Sequence, residues 1–104
     1  MPGVDYEEVR RQITMSEVLQ LVGFAAQRVL GDQQRGPCPV HGSSRPDSCT
    51  FSVNLQLGRY QCFKCGSRGN VLELWSAVRG ISVYAAAVEL CERLGKPIPW
   101  KTRW

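Results

Sequence analysis

Apolar residues recur at helical spacing towards both ends of this chain and alternate with polar ones in between. In VDYEEVRRQI, Tyr6, Val9 and Ile13 fall on one side of a short helix for which Asp5 is the N-cap. TMSEVLQLVG repeats the pattern with Met15, Val18, Leu19 and Val22. Thr14 and Glu17 supply a capping box there, and Gly23 supplies the stop. In AQRVLGDQQRG, Gly31-Asp32 between short polar and apolar runs predicts a hairpin. HGSSRPDSC reads as loop. TFSVN, with Phe51 and Val53 alternating against polar neighbours, and RYQCF, after a turn at Gly58, predict a second hairpin. Its alternation puts Arg59, Gln61 and Phe63 on one face and Tyr60 and Cys62 on the other.

Helical spacing then returns. GNVLELWSAVRG places Val71, Leu74, Trp75 and Val78 on one face, with Asn70 as N-cap and Gly80 as stop. ISVYAAAVELCERLG does the same with Val83, Ala87, Leu90, Cys91 and Leu94, ending at Gly95. Pro97 and Pro99 keep the tail from continuing that helix. The expected class is α+β, a small antiparallel sheet flanked by amphipathic helices. We expect one domain over 1–104, with N-terminal helices in 5–22, a core in 27–70, C-terminal helices in 70–94 and a tail in 95–104. Phe51, Val53 and Tyr60 are expected to close the core against Trp75.

Composition narrows the class. A content of 43% hydrophobic and 21% charged residues sets the chain apart from disordered sequences. No apolar run approaches the ~20 residues that span a bilayer. MPGVDYEEVRR has no apolar centre of the signal-peptide kind. A soluble, cytoplasmic protein without membrane contact is expected. In such a reducing compartment the five cysteines point to metal binding or redox chemistry rather than disulfides.

Their spacing favours metal. Cys38-Pro-Val-His41 and Cys62-Phe-Lys-Cys65 are two x-x spaced pairs separated by 20 residues. Gly42 and Gly66 follow the pairs and allow the sharp turns that aim two ligands at one ion. Three thiolates and an imidazole, Cys38, His41, Cys62 and Cys65, would complete a closed tetrahedral Zn2+ site with no position left for water. The rival for Cys62 and Cys65 is a thioredoxin-like redox pair, but that motif opens a helix in a longer α/β domain. Zinc would contribute about 10–16 kcal/mol to folding, a large term for so small a core. Cys91 reads as a packing residue on a helix face. Cys49 lies within the ligand gap without an x-x partner and is a competing ligand at most.

The net charge is +4, and its distribution is informative. Between residues 35 and 70, Arg35, Arg45, Arg59, Lys64 and Arg68 face a single acid, Asp47. Basic residues interleaved with aromatics on a small sheet suit single-stranded nucleic acid, charge holding the backbone and rings stacking on bases. Arg59, Lys64 and Arg68 are the candidate contacts, since nothing requires their burial.

The string CPVH…FSVN…RYQCFKCGSRGNVLELW…AAAVELCERLG resembles the Cys-His-Cys-Cys zinc-binding domain of bacterial and phage DnaG-type DNA primases, from about Val9 to Pro99. The resemblance implies a zinc ribbon that binds single-stranded DNA template and helps a separate polymerase domain, in cis or in trans, to initiate RNA primers. It implies Cys38, His41, Cys62 and Cys65 as zinc ligands, Arg59, Lys64 and Arg68 as template-backbone contacts, and Phe63 as a stacking residue. The loop GSSRPDSCT differs from the family's shorter Thr-Pro-Ser-Phe approach to the strand. The acidic cluster of a polymerase core is missing from this sequence, so no catalytic centre is expected in it. It is expected to be either part of a longer primase or a zinc module acting in trans. Two other readings compete. One is a protein-interaction or regulatory ribbon docking a polymerase core or another partner through its last helix and Trp100/Trp104; the other is a transcriptional ribbon for duplex DNA.

Overall fold

The computed structural model describes residues 3–40 and 50–101. In chain order the elements are β1 (Gly3–Val4), α1 (Tyr6–Gln12), α2 (Met15–Val22), β2 (Arg28–Leu30), β3 (Gln33–Gly36), β4 (Phe51–Asn54), β5 (Arg59–Cys62), β6 (Arg68–Gly69), α3 (Val71–Arg79), α4 (Val83–Leu94) and β7 (Trp100–Lys101). This is the expected α+β arrangement, with a five-stranded sheet between two pairs of helices.

Local chemistry sets the helix ends. Asp5 accepts a hydrogen bond from the Glu8 amide at 3.2 Å and starts α1. Thr14 and Glu17 form the capping box of α2, and Asn70 and Glu73 that of α3. Gly23, Gly80 and Gly95 end α2, α3 and α4 in the left-handed conformation that a side chain would resist.

Strands β2 to β6 form one antiparallel sheet in sequence order. Its inner face carries Phe51, Val53, Tyr60 and Cys62, all buried against the helices. Phe51 stacks on Tyr60 with ring centroids 5.5 Å apart and meets Phe24 at 5.2 Å. Gly36 lies on this same face, paired with Phe51, and a Cβ there would fall 2.9 Å from the Ala25 carbonyl oxygen and 3.0 Å from the Phe24 ring. From the helices and the C-cap of α1 come Val9, Ile13, Met15, Val18, Leu19, Val71, Leu72, Leu74, Trp75, Ala86, Ala87, Leu90 and Cys91. Each large apolar side chain buried here stabilises the fold by about 1.5–3 kcal/mol.

Three features depart from the sequence pattern. Tyr6 and Val83 occupy apolar positions but stay exposed at the rims of α1 and α4, and Ala86 takes the place expected of Val83 in the core. The short strand β6 pairs with β5 and becomes the edge strand of the sheet on that side. The tail turns back as β7 and pairs with β1, Val4 opposite Trp100, while the Asp5 amide donates to the Pro99 carbonyl at 2.9 Å.

Helices α3 and α4 meet at 99° and are locked by Glu89. Its carboxylate accepts from the Trp75 indole at 3.2 Å and pairs with Arg79 at 2.9 Å and Arg93 at 3.4 Å. Both arginines also lie over the Trp75 ring. No single helix among the described residues is long and apolar enough to cross a membrane.

Candidate metal centre and nucleic-acid face

Strand register brings the cysteines together. Gly36 on β3 and Cys62 on β5 both pair with Phe51 on the strand between them. Cys38, two residues past Gly36, therefore emerges at the same end of the sheet as Cys62. After Cys62 the chain makes a tight turn. The Gly66 amide donates to the Cys62 carbonyl at 3.0 Å, the Cys62 amide donates to the Ser67 carbonyl at 2.8 Å, and Gly66 takes a φ of 78°. That turn swings Cys65 back over Cys62, and its amide donates to Cys62 Sγ at 3.4 Å.

The sulfurs of Cys38, Cys62 and Cys65 lie within 4.8 Å of one another, with Cys38 Sγ and Cys65 Sγ 3.9 Å apart. Thiolates on a tetrahedral zinc at 2.3 Å would stand about 3.8 Å apart, so the three donors fit such an ion. Burial alone would push the Cys62 thiol up. The amides of Cys65 and Lys64 and the neighbouring Cys65 and Cys38 thiols outweigh it and hold Cys62 below the ordinary thiol value. A thiol that ionises readily is the state a metal ligand needs. His41 and Cys49, like Gly42 and Arg45, lie outside the described residues. Cys91 is buried on α4, apart from the three-thiol cluster, as a packing residue should be. Burial pushes its thiol up.

The outer face of the sheet is polar and basic. Register aligns Arg28, Arg35, Ser52, Gln61 and Arg68 in one row across β2 to β6, and Leu30, Gln33, Asn54 and Arg59 in the next. Arg59, Gln61 and Phe63 are exposed on this face, opposite to Tyr60 and Cys62, as their alternation predicts. Phe63 is 61% exposed. An open groove of about 560 Å³ runs over the face, lined by Gln33, Ser52, Asn54, Arg59, Gln61, Phe63 and Arg68 among others. Lys64 is exposed in the turn between Cys62 and Cys65 and does not line it. Arg28 and Arg35 also stand on this face and escaped the sequence-based set of candidate residues. Their signal was the Gly31-Asp32 turn, about which they stand symmetrically and pair.

An antiparallel sheet whose turns gather thiols at one end defines a metal-ribbon module. The chain belongs to the CHC2 zinc finger family of DnaG-type ribbons, whose family model matches residues 2–103. It is 31% identical over 94 residues to a DNA primase of Aquifex aeolicus, covering 90% of this chain and 18% of that protein. A DNA primase of Halalkalibacterium halodurans is 30% identical over 100 residues, covering 95% of this chain and 16% of the relative. The chain thus spans less than a fifth of the length of these relatives. Among solved structures, that of the Aquifex aeolicus primase zinc-binding and RNA polymerase domains matches with a TM-score of 0.74 and 31% identity, over 92% of this chain and 23% of the other.

Proposed function

We propose that this chain is the zinc-dependent, template-binding module of a primase. Cys38, His41, Cys62 and Cys65 hold a structural Zn2+, and the outer sheet face binds single-stranded DNA. Arg59, Lys64 and Arg68 contact the backbone, and Phe63 stacks on a base. The module works in the cytoplasm with a primase polymerase domain, in cis or in trans, and supports the start of RNA primer synthesis without chemistry of its own. The metal contributes rigidity: four protein ligands leave no open position for substrate, and the ion ties the β3 end to the β5–β6 turn that carries Phe63 and Lys64.

The observation that carries this reading is the grouping of Arg59, Gln61, Phe63 and Arg68 around one exposed groove beside the thiol cluster. Phosphate contacts by three cations should make log K fall with log salt at a slope of about −2 for a single strand. The test is titration of the zinc-loaded protein with a fluorescent single-stranded oligonucleotide and its duplex over a range of salt. Single-strand preference with that slope is expected, and the double variant Arg59→Glu, Arg68→Glu should lose binding while keeping its fold. A salt-independent signal, or preference for the duplex, would refute it; the second outcome would favour the transcriptional reading.

A protein-docking role has its own support in the exposed groove formed by Tyr84, Val88 and Trp100 on α4 and the tail. It predicts retention of a polymerase-domain partner in the absence of DNA, with Trp100→Ala weakening it.

A further inference from the structure

Arg35 differs from the other arginines of the outer face. Arg28, Arg59 and Arg68 are exposed, whereas Arg35 is half-buried on a strand flanked on both sides. It stands in register with Ser52 and, one strand further, with Gln61. From there its guanidinium reaches along the face to lie 5.2 Å from the centroid of the Phe63 ring. The Phe63 backbone is held by its amide, which donates to the Thr50 carbonyl at 2.8 Å. The ring itself projects from the edge of a turn and is largely exposed.

An exposed phenylalanine in a turn has rotamer freedom, and a base that stacks on it must first offset the loss of that freedom. A planar guanidinium on one face of the ring limits the rotamers and is attracted by the ring's π electrons. It leaves the opposite face for a base. We propose that Arg35 is a positioning residue of the single-strand-binding face. It holds Phe63 as a pre-set stacking post and does not itself neutralise a phosphate. The proposal rests on the template-binding reading above and adds a division of labour among its arginines.

The two roles differ in salt dependence. A phosphate contact contributes about 0.7 to the slope of log K against log salt on a single strand, whereas a residue acting through a ring contributes nothing to it. The experiment measures binding of a fluorescent single-stranded oligonucleotide at several salt concentrations. It compares the zinc-loaded protein with Arg35→Gln, Arg35→Lys, Phe63→Ala and Arg35→Gln combined with Phe63→Ala. Zinc content and thermal unfolding of each variant are checked first. Phe63→Ala should weaken binding by about 5- to 150-fold, the range for loss of one stacked base. Arg35→Gln should weaken it by about 2- to 30-fold at unchanged slope, and by less than about twofold once Phe63 is already alanine. Arg35→Lys, which keeps the charge and loses the plane, should recover binding only in part.

A slope reduced by about 0.7 in Arg35→Gln, with the same loss in both backgrounds, would overturn the proposal in favour of a direct phosphate contact. So would full affinity in Arg35→Gln, or full recovery in Arg35→Lys. Failure of the unaltered protein to bind any single strand would instead overturn the template-binding reading, and the proposal with it.

Discussion

Cys65 separates metal binding from packing better than its partners do. Cys38 and Cys62 are fully buried, so any substitution there also disturbs the core, whereas Cys65 is exposed. Exchange of an exposed side chain away from special features costs within about 0.5 kcal/mol. In Cys65→Ser the loss of stability therefore reports the metal. A chain of this size has a total stability of roughly 5–15 kcal/mol, and structural zinc supplies about 10–16 kcal/mol. Even if the three remaining ligands retain most of the binding, a deficit of about 3 kcal/mol would lower Tm by roughly 12–24 °C. Cys91→Ala is the control: it is buried but lies outside the thiol cluster. It should cost about 1 kcal/mol, or roughly 4–8 °C, and keep its metal. The assay pairs elemental zinc analysis with thermal unfolding, each with and without a chelator. If Cys65→Ser keeps one zinc per chain and its Tm, and chelation leaves the unaltered protein's Tm in place, the metal argument fails.

Two further outcomes follow from particular contacts. Gly69 has a φ of 148°, and a Cβ there would lie 2.7 Å from Glu73 Cβ and 2.5 Å from Glu73 Cδ. Gly69→Ala should therefore cost roughly 2–4 kcal/mol in urea unfolding, through backbone strain and loss of the α3 capping box, with zinc content unchanged. Glu17 is held below its ordinary value of 4.5, first by its bond from the Thr14 amide; burial opposes this as the next largest effect, and the Thr14 hydroxyl and Lys96 add to the lowering. A carboxylate lowered in the folded state stabilises above its unfolded pKa and loses that stabilisation as pH falls through the folded value. The Tm gap between the unaltered protein and Glu17→Gln should thus be full above pH 4.5 and close as the solution is acidified further. A gap that does not change with pH would refute the assignment.

Much of this molecule was legible one segment at a time, because the forces concerned act over a few residues. Asp5, Thr14, Asn70 and the terminal glycines set the helix ends through bonds to their near neighbours. The alternation around Cys62 sorted Arg59, Gln61 and Phe63 from Tyr60 because a strand's side chains can only alternate. The x-x spacing marked Cys62 and Cys65 as neighbours because a sharp turn is the shortest way to aim two side chains at one point. Val83 misled, since helical periodicity gives a face but not where that face meets solvent.

Pairing between distant segments decided the rest. Register across β3, β4 and β5 joins Cys38 to Cys62 and Cys65, lines up Arg28, Arg35 and Arg68, and lets Arg35 reach Phe63. The β1–β7 clasp depends likewise on where α4 delivers the tail. A chain's own pattern says which residues share a face. Which residues from different strands stand side by side depends on the register that burying that face imposes, and here that register puts the thiols at one end of the sheet and the arginines across its outside.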